Sequence, residues 1–163
     1  RAGLDVTHND GVIAMGQGPD PESLQLGPGN VGNLPSGEGT RLMWIPQKAA
    51  FRAGYARNNQ WDLDRIGIYS VAFGRSSQAS GNYSMATGFG ATASGSAALA
   101  TGQGATASGD YTLAAGYATT ASGDYALAAG YATTASGNNT TALGSYVGTN
   151  SKVGSMVFGD RST

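Results

Sequence analysis

Ser84-Met85-Ala86-Thr87-Gly88 and Thr92-Ala93-Ser94-Gly95 are the two halves of one unit, and their recurrence decides the fold. The first is a small-residue strand closed by glycine, and the second is a threonine-serine tract closed by another. Around them glycines fall on a seven-residue ladder: Gly67, Gly74, Gly81, Gly88, Gly95, Gly102, Gly109, Gly116, Gly123, Gly130, Gly137 and Gly144. The two kinds of glycine alternate, so the true repeat is fourteen residues. A short fixed period means that one small unit stacks on copies of itself. Two strand-and-turn halves per unit make one coil, and the expected fold is an all-β solenoid of fourteen-residue coils.

Residues fourteen apart align in columns. The first strand gives Val71, Met85, Leu99, Leu113, Leu127 and Thr141, then Ala72, Ala86, Ala100, Ala114, Ala128 and Ala142, then Phe73, Thr87, Thr101, Ala115, Ala129 and Leu143. Side chains alternate faces along a strand, and the larger face, with Val71 and Phe73, is expected to point into the coil. That leaves the alanine column outward, where an apolar stripe is expected to bury against something. Ala72, Ala86, Ala100, Ala114, Ala128 and Ala142 are therefore assigned to packing near the symmetry axis of an oligomer.

In the second strand Thr92, Thr106, Thr120 and Thr134 are expected outward, and Ala79, Ala93, Ala107, Ala121 and Ala135 inward. The threonine row is the one repetitive polar surface and a candidate for binding ice or a repetitive glycan. The simpler reading is that threonine suits strands and keeps a rod soluble. Asn82, Asp110, Asp124 and Asn138 read as turn residues bonding their own backbone, and the glycine before each as supplying unusual backbone angles. Tyr69, Tyr83, Tyr111 and Tyr125, with Phe89, Tyr117 and Tyr131, are expected to stack into ladders that stiffen the coils. At about 4.8 Å per coil, five to six coils span roughly 27 Å.

The chain has 163 residues, nine Lys plus Arg against ten Asp plus Glu, and no cysteine. A net charge of -1 argues against nucleic acid or an anionic membrane as partner. Disulfides and thiol chemistry are excluded. Between Ser76 and Ser151 the only charged residues are Asp110 and Asp124. Low charge and abundant glycine also suit disorder, but a disordered linker has no reason to keep Leu and Tyr in phase. No apolar run approaches the roughly 18 residues of a membrane span. Arg1 opens the chain without a methionine or signal peptide, which reads as a piece of something longer.

Before Gly67 the period breaks. Gly11–Gly16 resembles the first strand of a coil, and Ser23–Gly27 does so more weakly. Arg41-Leu42-Met43-Trp44-Ile45-Pro46 is the most apolar run, and both tryptophans lie here. Residues 1–66 are expected to form a cap or inserted subdomain that closes the open end of the solenoid against edge pairing, with the repeats over 67–163. Ser155-Met156-Val157-Phe158-Gly159 reads as a final strand one residue out of register with Gly144, hence a bulged last coil.

Tyr69-Ser70-Val71-Ala72-Phe73-Gly74 and the Ser-x-Ala-x-Gly units that follow resemble the head repeats of YadA-like trimeric autotransporter adhesins, over residues 67–163. Arg41–Gly54 and Trp61–Gly67 are similar to a stretch that often precedes such repeats in bacterial surface proteins. The resemblance implies a homotrimer of left-handed parallel β-rolls on the outside of a bacterial cell, attaching to a host matrix protein, glycan or other surface ligand. Handedness and the number three come from the resemblance alone. No neck motif, coiled-coil stalk or membrane anchor is seen, and similar repeats occur in phage and injection-system fibres, so a structural fibre module is the alternative.

Catalysis is not expected, and no cofactor or metal is implied. His8 is the only histidine, and no repeat holds an acid–base pair. Asp62 and Asp64 do not specify a calcium site, which takes six to eight oxygens; a salt bridge to Arg65 or Arg57 is the simpler expectation. Asp110 and Asp124 stack one coil apart but lack the Gly-Gly-x-Gly-x-Asp pattern of calcium-binding rolls. Glycine spacings that mimic phosphate loops arise from the period, with no Gly-Lys-Ser/Thr after them.

Overall fold

The computed structural model describes residues 13–15, 34 and 36–160; His8 and the Ser23–Gly27 segment lie outside them. From Val71 onward the chain winds in coils, and each of the first five contributes one strand to each of two sheets, while the last meets the short sheet only through a bridge from Gly148 to Thr134. The long strands are β4 (Val71–Arg75), β6 (Met85–Phe89), β8 (Leu99–Thr101), β10 (Leu113–Tyr117), β12 (Leu127–Tyr131), β14 (Thr141–Ser145) and β15 (Met156–Asp160). They alternate with the two-residue strands β5 (Gln78–Ala79), β7 (Thr92–Ala93), β9 (Thr106–Ala107), β11 (Thr120–Ala121) and β13 (Thr134–Ala135). Pairing is parallel, with Leu113 opposite Leu127 and Thr120 opposite Thr134, so the coil is fourteen residues long. The last coil is longer by one: Gly144 pairs with Gly159, and Asn150 and Ser151, both at positive φ, carry the bulge.

The structure reverses the expected facing of the first strand. Ala72, Ala86, Ala100, Ala114, Ala128 and Ala142 are fully buried within a single chain, in one core with Ala79, Ala93, Ala107, Ala121 and Ala135. Val71, Leu99, Leu113 and Leu127 point outward and are half-buried, while Met85 and Phe73 are exposed. The reason is room. Two strands and two tight turns leave an interior that admits methyl-sized groups and little more. Its two remaining columns, Ser70-Ser84-Ala98-Thr112-Ala126-Thr140 and Ser77-Ala91-Ala105-Thr119-Thr133-Val147, are small too. The buried hydroxyls of the first bond the backbone three residues back, as Ser84 Oγ does to the Gly81 carbonyl at 2.6 Å.

The glycines of the Ser-Gly turns have a different cause from the one expected. Among the described glycines, Gly67, Gly81, Gly95, Gly109, Gly123 and Gly137 are not at positive φ. A Cβ on Gly81 would lie 1.9 Å from the carbonyl oxygen of Gly95 in the next coil. Coils approach too closely there for any side chain. Left-handed backbone occurs instead two residues beyond each ladder glycine, from Tyr69 and Ser76 to Asn139 and Tyr146, with φ between 50 and 67°. Each coil therefore turns two sharp corners. At the first of them the N–H of the corner residue bonds a carbonyl one coil back, as Tyr111 does to Ser96 at 2.8 Å.

Toward the N-terminus the long sheet continues through β3 (Ala50–Ala56), parallel to β4, then β2 (Gly39–Ile45) and β1 (Ile13–Met15), each antiparallel to its predecessor. Met43, Ile45, Ala50, Ala56, Trp61 and Ile66 form a second core beneath this hairpin. Trp61 is fully buried and its indole N–H donates to the Ser77 carbonyl at 2.9 Å.

Arg52 occupies the alanine column, opposite Ala72. Its buried guanidinium donates to the carbonyls of Phe51, Ser70 and Ala79 and to Ser70 Oγ, at 2.7 to 2.9 Å. Burial lowers its pKa to about 10, so it stays charged at neutral pH. It ends the methyl core by supplying donors to acceptors at the first coil. Arg52→Ala restores the column's residue but removes those donors, and urea unfolding is expected to show a loss of about 1–3 kcal/mol.

Candidate interaction surface

Three surfaces face outward from the coils. The broad one is the outer side of the long sheet. There the Val71-to-Thr141 and Phe73-to-Leu143 columns lie side by side, with Val71, Phe73, Met85, Leu99, Leu113, Leu127 and Leu143 at least partly open to solvent. In one chain this is a continuous apolar strip, and such strips on soluble proteins mark contact surfaces.

The second is the short sheet. Thr92, Thr106, Thr120 and Thr134 stand in register on its outer side, each half-buried, and Ser94, Ser108 and Ser122 are exposed beside them. The alanines between turn inward as expected. The row is regular but only one threonine wide.

The third is the corner before each long strand. Tyr69 stacks on Tyr83 at 5.1 Å and Tyr111 on Tyr125 at 5.2 Å; on the corner after the strand Tyr117 stacks on Tyr131 at 4.9 Å. The expected aromatic ladders are thus present only as stacked pairs, and Phe89 lies beneath Arg75 at 5.2 Å instead of on another ring. Asn82, Asp110, Asp124 and Asn138 do not bond their own turns. Each accepts from a backbone N–H one coil earlier: Ile68 to Asn82, Ser96 to Asp110, Asp110 to Asp124 and Asp124 to Asn138, at 2.8 to 3.0 Å. They form a side-chain ladder that fastens coil to coil.

At the N-terminal end Asp64 sits in the short 3-10 turn Leu63–Arg65 and Asp62 immediately precedes it. Asp62 accepts from Ser36 Oγ at 2.9 Å and lies near enough to Arg41 for their charges to interact. Arg41 donates to the Ser36 carbonyl, and its pKa is lowered by burial, with Asp62 opposing the shift. Among the described residues no three His, Asp or Glu side chains gather in a metal-holding group, and no helix is long and apolar enough to cross a membrane.

The corners, the small core and the outward apolar columns define an all-β parallel solenoid. Residues 66–91, 93–119 and 121–146 match the family profile described as YadA head domain repeat, two copies in each match, so the segment 66–146 carries repeats similar to those of that family. YadA head repeats are structural modules typical of adhesin heads. No curated protein matches the chain.

Proposed function

We propose that this chain is a non-enzymatic head segment of a homotrimeric bacterial surface adhesin. In this reading residues 1–66 cap the repeats of 67–163, and the assembly attaches to host or environmental surfaces. The supporting observation is the apolar strip on the outer side of the long sheet. Each coil buries only a few methyl-sized groups, worth about 0.8 kcal/mol apiece, while its larger apolar side chains stand outside. Sister chains that cover Val71, Met85, Leu99, Leu113 and Leu127 add outer burial to that of the folded single chain. The axis contact therefore moves from the alanine column to its neighbours, and three copies add avidity to weak surface contacts.

Light scattering tests the assembly, with three chain masses expected. Leu113→Glu puts three like charges into the contact, and a shift to single chains is expected, with the strand signal in circular dichroism retained. A wild-type monomer, or a Leu113→Glu trimer, rejects the contact. Attachment is read from beads carrying the protein on immobilised matrix proteins and on cells; no retention on any of them rejects the adhesin reading. Thr92, Thr106, Thr120 and Thr134 belong to the exposed flank of this assembly, and thermal hysteresis at millimolar protein is expected to be nil.

A further inference from the structure

The aromatic rows on the two corners are interrupted in the same coil. Residues 95–108 carry no aromatic side chain: Ala97 stands between Tyr83 and Tyr111, and Gln103 between Phe89 and Tyr117. At the first corner the backbone runs through the interruption unchanged. Ala97 has φ 53° beside 57 to 58° for the tyrosines, and its N–H donates to the Asn82 carbonyl at 2.8 Å. Only the ring is absent. Tyr83 is stacked on Tyr69 on one side and Tyr111 on Tyr125 on the other, so each turns its second face toward the gap. Two coil spacings separate those faces by about 10 Å. A group centred between them lies about 5 Å from each ring, inside the roughly 6 Å over which a ring face holds a cation.

The charge at the rim has the matching sign. Asp110 Oδ1 accepts the Ser96 N–H at 2.8 Å, which fixes the carboxylate next to Ala97. No Lys or Arg occurs between Ser76 and Ser151, so the coils on either side of this gap supply no cation to it; Arg75 lies on the other corner, over Phe89. Both Asp110 and Asp124 lie on this corner, and their charges keep it at the solvent in an assembly, because unpaired carboxylates are costly to bury.

We propose that Tyr83, Tyr111 and Asp110 form a slot for a cationic side chain, an arginine or lysine presented by a partner polypeptide. The proposal deepens the attachment reading and rests on it for the source of the partner. The slot itself is tested separately. Isotope-labelled full chain is titrated with acetyl-Gly-Arg-Gly-amide, with the uncharged citrulline peptide of the same shape, and with methyl glucoside. The arginine peptide is expected to shift the amide signals of Ser96, Ala97 and Tyr111 saturably, with a dissociation constant on the order of 1–10 mM. The citrulline peptide is expected to bind at least about tenfold more weakly.

Ala97→Tyr fills the gap with a ring, and tyrosine already holds that backbone geometry at Tyr69, Tyr83, Tyr111 and Tyr125. It is expected to fold and to abolish the response. Asp110→Asn keeps the acceptor, as Asn82 and Asn138 do, and is expected to weaken binding by about two- to fivefold. A response that does not saturate, that citrulline reproduces, that survives Ala97→Tyr, or that methyl glucoside alone evokes overturns the slot. Failed bead attachment with an intact arginine response overturns only the adhesin reading.

Discussion

Gly116→Ala is expected to cost more than about 3 kcal/mol and to abolish the cooperative melting of the coils around it. Gly116 has φ +127°, where a side chain is strained, and a Cβ there would lie 1.9 Å from the carbonyl oxygen of Gly130. The obstacle is backbone, held by the parallel ladder between β10 and β12, so relief requires the coils to part. Gly104→Ala is the matched control. Its φ is +67°, the nearest atom to a new Cβ is 3.9 Å away, and Ala118 and Ala132 occupy the same corner at 51 and 50°. Its expected change is within about 1 kcal/mol, because αL strain and lost unfolded-state freedom oppose each other. Thermal melts of both variants check the contrast. Equal melting would mean that close approach between coils is not what the glycines serve.

Ala100→Glu is expected to unfold the solenoid whatever its oligomeric state. Ala100 is fully buried in one chain among side chains of its own size. A carboxylate there is unpaired, at a cost of about 3–5 kcal/mol or more, a large share of the 5–15 kcal/mol that holds a typical domain. Thr101→Glu places the same charge one residue on, on the outward column, and is expected to leave the single chain folded. Circular dichroism at low concentration separates the two. A folded Ala100→Glu chain would put the alanine column on the surface after all.

The period of fourteen, the two strands per coil, the aromatic stacking and the bulge before Gly159 were all legible in the sequence, because each is a matter of phase. Facing was not. Hydrophobic size argued for Val71 and Phe73 inside, but the separation of the two sheets decides, and backbone fixes that separation. The constancy of the alanine column was the available signal: a position that never varies in size across six coils is a position without slack. Asn82 and Asp110 were read as local turn formers because their partners lie fourteen residues away, beyond any turn motif. The corners at Tyr69 and Tyr83 were hidden by residues that seldom adopt positive φ. Arg52 gave no sign of standing in the alanine column, since β3 lies outside the period.

A core made from one repeated methyl has an evolutionary corollary. Any coil presents its neighbours with the same Ala-Ala contact and the same glycine carbonyls, so whole coils are interchangeable modules. Deletion or duplication by fourteen residues preserves every inward position, whereas a shift by seven sets long strands against short ones. The number of coils can therefore drift in single steps by slippage within the gene, with no compensating change elsewhere in the chain.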